Sequence, residues 1–123
     1  MAQITNTFVP YGGISAAVAF TAATGSDYFI PGNSDSRVGI IIKNSNAQNA
    51  AVTLQAGDGT LSPLGNITVT VGANQTVYVP FDRVSSSRVK VTTGTGKGMV
   101  NISTAVNTGG TVANVGFGVI SVE

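Results

Sequence analysis

All the charge in this 123-residue chain comes from five acidic and six basic side chains, and histidine and cysteine are both absent. Without histidine the commonest general base is missing, and without cysteine so are the thiol nucleophile and the soft metal ligands. A serine triad of the ordinary kind cannot be assembled. The carboxylates, Asp27, Asp35, Asp58, Asp82 and Glu123, stand singly in stretches that read as turns or strand edges. Glycoside hydrolysis needs two such groups about 5 to 9 Å apart, and nothing in their spacing pairs them. The expectation is therefore a protein that is not an enzyme, with no catalytic residue, no metal site and no cofactor.

Two glycine-rich stretches echo ligand loops without completing them. Gly57-Asp58-Gly59 supplies one carboxylate where calcium needs several oxygen ligands, and it reads as an Asp-Gly turn. Gly94-Thr95-Gly96-Lys97-Gly98 resembles part of a phosphate loop, but Gly94 stands too close to Gly96 and Gly98 replaces the hydroxyl residue. No helical period follows to supply an N-terminal dipole, so a hairpin turn is expected there. Arg83, Arg88 and Lys90 flank Asp82 and a serine run, which reads as a solvated strand edge rather than a phosphate site. Tyr11, Tyr28 and Tyr78 have the apolar body and polar tip that stack on sugar rings, and equally suit the rim of a core.

The elements that must position these groups show a period of two. Val38, Ile40 and Ile42 alternate with Gly39, Ile41 and Lys43; Val52 and Leu54 with Ala51, Thr53 and Gln55; Ile67, Val69 and Val71 with Asn66, Thr68 and Thr70. Side chains of a strand point to opposite faces in turn, so this pattern predicts half-buried antiparallel strands. Further strands are expected over 15–20, 27–30, 75–80, 88–92, 99–104 and within 112–122, separated by turns rich in Gly, Asn and Pro. In the last run Val115, Phe117 and Val119 share one face and Gly116, Gly118 and Ile120 the other, a glycine face suited to close approach of another backbone. Eight or nine short strands and no helical period of useful length predict an all-β protein, an antiparallel sandwich with jelly-roll or Greek-key connections, ahead of a closed barrel.

At this length one domain is expected: an extended N-terminal arm over residues 1–13, with Ile4, Phe8 and Val9 as its large apolar anchors, then a single sandwich over 14–123. The arm lies either across a neighbouring subunit or along an edge of its own sheets. Met1 to Gly13 lacks the basic start of a secretory leader, and Ile14 to Ala23 is too short for a spanning helix, which needs about 20 residues. With a net charge of +1 there is little attraction for nucleic acid or an anionic membrane. Charged residues make up 9% of the chain, against about 25 to 35% on the surface of a typical dispersed monomer. Such a chain is expected to be covered in part by other subunits.

Val38-Gly39-Ile40-Ile41-Ile42-Lys43-Asn44, Val52-Thr53-Leu54-Gln55-Ala56-Gly57-Asp58-Gly59 and Gly65-Asn66-Ile67-Thr68-Val69-Thr70-Val71 together resemble the head-decoration, or cement, proteins of tailed bacteriophages. The likeness runs over about residues 37 to 104. It implies a virion protein made in the host cytoplasm, forming a trimer on the major capsid protein at the capsid surface and stabilising the shell. Contacts are then expected from Ile4, Phe8, Val9 and Tyr11 at one end of the chain and Phe117 and Ile120 at the other. A glycan-binding module of a tail or surface fibre and a tail-tube or filament subunit are the alternative readings.

Overall fold

The computed structural model describes residues 2–9, 17–31, 38–59, 61–81, 88–92, 94 and 97–122. Within them lie ten strands: β1 (Ala2–Gln3), β2 (Asn6–Val9), β3 (Thr21–Ala22), β4 (Ser26–Phe29), β5 (Val38–Asn44), β6 (Ala50–Leu54), β7 (Ile67–Val71), β8 (Thr76–Phe81), β9 (Val100–Val106) and β10 (Val115–Val122). The alternating runs form strands because one side of each is β-branched or aliphatic and enters the core, while the other side is mostly Ser, Thr or Asn in runs such as β7 and β9 and Gly39, Ile41 and Lys43 in β5. Single turns of 3-10 helix at Ser62–Leu64 and Val112–Asn114 precede β7 and β10.

The fold is an all-β sandwich. One sheet runs β1-β4-β9-β6-β7; the other runs β2-β10-β5-β8, with β3 also against β10. The antiparallel pairs β6 with β7, β5 with β8, β4 with β9 and β3 with β10 are nested one inside the next. The chain is thus one long hairpin wound round a common core, which is the jelly-roll path. Between the sheets Phe29, Ile40, Ile42, Val52, Leu54, Val71, Ile102, Val115, Phe117 and Val119 are buried, and Phe29 stacks on Phe81 with ring centroids 5.8 Å apart.

Of the two placements expected for the N-terminal arm, residues 2–9 take the one along the edges of their own sheets. Ala2 and Gln3 pair parallel to β4, and Asn6 to Val9 pair parallel to β10, so one short segment is sewn into both sheets and the sandwich is mixed rather than purely antiparallel. Between the two strands Ile4 drops into the core and its N–H bonds Tyr28 C=O at 2.8 Å. This arm closes an edge of its own sandwich.

Other strand expectations shift as well. Residues 17–20 are not in a strand, although 15 and 16 lie outside the described residues. Around Lys90 there is a single bridge to Val100, extended by bonds from Val91 N–H to Met99 C=O and from Gly98 N–H to Val91 C=O, in place of a strand over 88–92. The strand expected over 75–80 is present as β8, with Pro80 inside it on a sheet edge, where its missing N–H leaves no ladder bond unmade.

The turns at one end of the sandwich are joined through two buried asparagines. Asn44 Nδ2 donates to the C=O of Gln48 and of Gly72, while its Oδ1 accepts from the N–H and the Nδ2 of Asn46. Asn46 in turn exchanges bonds with Thr111, giving from Nδ2 to the C=O at 3.0 Å and accepting at Oδ1 from the N–H at 2.8 Å. Three loops distant in sequence are thereby fixed to each other with their buried polar groups satisfied.

Candidate functional site

The two described carboxylates, Asp27 and Asp58, both accept hydrogen bonds from threonines of the fold. Asp27 is buried at the start of β4, where its two oxygens accept from the N–H and the hydroxyl of Thr24 at 2.9 and 2.6 Å. Asp58 Oδ1 accepts from both the N–H and the hydroxyl of Thr92 at 2.6 Å, tying the Gly57-Asp58-Gly59 turn to the 88–92 segment. Asp35, Asp82 and Glu123 lie outside the described residues. Among the described residues no three acidic side chains come together. Arg88 donates from Nε to Gly65 C=O and from Nη2 to Asn66 C=O, both at 2.7 Å, and so holds the entrance of β7. Of the Gly94 to Gly98 turn, Gly94 and Gly98 have φ of 76° and 89°, and Thr95 and Gly96 are outside the described residues.

Apolar contact surface is the more substantial feature. Phe8 is 51% and Ile30 45% exposed, and they stand on one cleft of about 470 Å³ shared with Gln3, Thr5, Asn6 and Pro31. The crossing of the arm from one sheet to the other forms one wall of this cleft. Asn6 Nδ2 donates to Ile30 C=O at 2.9 Å, joining the walls, while its buried Oδ1 has no partner among the described residues. On the outer face of the sheet containing β5 and β10, Phe20 is 50% and Tyr78 56% exposed. Tyr78 lies over Gly39, and Val18 and Phe20 lie over Gly118, so the glycine face of β10 receives a segment of its own chain.

These placements sort the contact residues expected from sequence. Phe8 is available, and Val9 and Ile120 are half-buried. Ile4 and Phe117 are corrected: both are buried, because each points between the sheets where burial of a large side chain gains the most. Tyr11 lies outside the described residues. Ile30 and Phe20 were missed because their cleft and face exist only once distant strands are paired.

No protein family model, curated protein or solved structure matches this chain. Besides the cleft of Phe8 and Ile30 and the face that carries Phe20 and Tyr78, the outer face of the β4-β9-β6-β7 sheet is uncharged. Across that face the register sets Tyr28 beside Asn101, and Ser26, Ser103, Thr53 and Thr68 side by side. Tyr28 hydroxyl reaches Gln3 Oε1 at 3.4 Å, and the Thr53 and Thr68 hydroxyls are 3.5 Å apart.

Proposed function

We propose that this protein is a non-enzymatic structural subunit of a tailed-phage particle, which seats on the outer surface of the capsid, against the major capsid protein, and stabilises the shell. The observation that carries the reading is the pair of exposed apolar side chains, Phe8 and Ile30, at one cleft of an otherwise charge-poor sandwich. Apolar groups gathered at one place on a surface mark contact with another protein. The arm that forms the cleft wall is hydrogen-bonded into both sheets, so the surface is presented already ordered and docking costs little conformational entropy. The sequence likeness to decoration proteins supports the choice of partner.

The test uses particles purified by density gradient from the host that makes the chain. The protein should be a stoichiometric component of the particle, and after mild stripping added protein should co-sediment with the shells and raise the temperature at which they open. A Phe8→Ser/Ile30→Ser double variant should keep its fold and lose co-sedimentation. Absence of the chain from the particles, or equal binding by the double variant, overturns the reading.

A second reading, a glycan-binding module of a tail or surface fibre, is favoured by the hydroxyl and amide rows beside Tyr28. A neutral face of donors and acceptors with one aromatic platform suits a neutral sugar. Specific binding on a glycan array that Tyr28→Ala abolishes would favour it over the first.

A further inference from the structure

We propose that the free edge of β7 pairs with the same edge of a second copy, joining two molecules about a two-fold axis through Val69 into one continuous sheet. Among the described residues five strands lie at a sheet edge: β1, β2, β7 and β8 at the ends of the two strand orders, and the two-residue β3 beside β10. Proteins blunt such edges with short strands, proline or charge, because an open row of N–H and C=O groups recruits another chain. β1 has two residues, β2 has four and leads into Pro10, and β8 contains Pro80. β7, Ile67-Thr68-Val69-Thr70-Val71, has no charge, no proline and no glycine.

Its hydrogen-bonding direction follows from the neighbouring ladder. Gln55 N–H bonds Asn101 C=O on the β9 side at 2.9 Å, while Ala56 N–H turns the other way and meets Asn66 Oδ1 at 2.7 Å. Alternation then aims the main-chain groups of Ala50, Val52 and Leu54 at their partners Val71, Val69 and Ile67. Thr68 and Thr70, between them, point N–H and C=O outward. The Asn66 C=O shares that outward direction and is the one that Arg88 occupies, which limits the open edge to the threonines.

This edge is complementary to itself. In an antiparallel pair centred on Val69, Thr68 of each copy stands opposite Thr70 of the other, and each such pair exchanges two bonds, which uses every outward group of both threonines. Val69 meets its own copy in the close, non-hydrogen-bonded position. Both threonine side chains are exposed, and Ile67 and Val69 are half-buried, so pairing also covers apolar surface that the monomer leaves wet. An isologous contact of this kind closes at two subunits.

The test is sedimentation and oxidative cross-linking of the whole chain. Wild type should reach twice the 12.3 kDa chain mass. Thr68→Pro removes an outward donor without touching the β6 ladder, and Thr70→Lys places charge on the edge; each should raise the dimer dissociation constant about tenfold to a hundredfold while the spectrum and melting temperature of the fold persist. Should Thr68→Pro fail to fold, Thr70→Lys still decides. Because the chain has no cysteine, Val69→Cys can form only an intermolecular disulfide, and it should cross-link rapidly under mild oxidation. A monomer at all concentrations, a trimer, or a dimer indifferent to both edge variants overturns the pairing. Each of those outcomes leaves the particle-binding reading standing, since that rests on Phe8 and Ile30.

Discussion

Asn44 and Asn46 show what a single side chain does here: between them they satisfy main-chain groups of loops that no strand ladder reaches. Asn44→Ala removes both the donor and the acceptor at a buried position and takes away the Oδ1 that the buried Asn46 N–H donates to, so we expect a loss of about 2 to 3 kcal/mol, measured by urea unfolding. Glycines give a second, sharper contrast. A Cβ on Gly57 would lie 2.2 Å from the Lys90 main-chain oxygen, whereas a Cβ on Gly39 would meet only the tip of the exposed Tyr78 ring. Gly57→Ala should therefore cost about 1 to 3 kcal/mol, the range for overpacking that backbone must relieve, while Gly39→Ala should cost less because a side chain can swing aside. Equal effects of the two in the same unfolding experiment would contradict this account.

At the scale of elements, the arm is the informative case. Composition allowed it to reach a neighbour, but β1 and β2 make parallel pairs in both sheets and Ile4 fills the core between them. Ile4→Ala should lower stability by about 2 to 5 kcal/mol, as expected for a buried aliphatic group whose cavity cannot collapse. Deleting residues 2–9 should lower the melting temperature further, and an unchanged melting curve would show that the arm is dispensable to the fold. Gly118 tells a related story: its bare position on the outer face lets Val18 and Phe20 pack down on β10. Glycine there weakens the strand in isolation and is offset by what covers it.

For the whole molecule, nesting sets the folding problem. The outermost of the nested pairs brings Thr21 to Phe117, about three quarters of the chain apart, and of these pairs only β6-β7 is local. Refolding followed by stopped-flow fluorescence of the tyrosines should therefore fall in the range of about milliseconds to seconds typical of non-local β topologies. A microsecond phase carrying the full amplitude would be inconsistent with the nested arrangement. The same topology leaves an uncharged outer face on the β4-β9-β6-β7 sheet, an outer face on the other sheet that carries Lys43, the cleft at Phe8 and Ile30 and the edge of β7, a distribution suited to a building block that meets other proteins on several sides.

Period-two runs such as Val38 to Lys43 and Ile67 to Val71 were sufficient to identify strands, their inward faces and the all-β class, because alternation across a pleated strand is a local property of the chain. The absence of histidine and cysteine is likewise a property of the sequence alone. What the tertiary structure alone decided was which surfaces remain: that Ile4 and Phe117 are inside, that Phe8 and Ile30 share a cleft, that Gly118 lies beneath Phe20, and that β7 is an edge. Those depend on pairings between residues tens of positions apart, and no local pattern specifies which strand will be left without a neighbour.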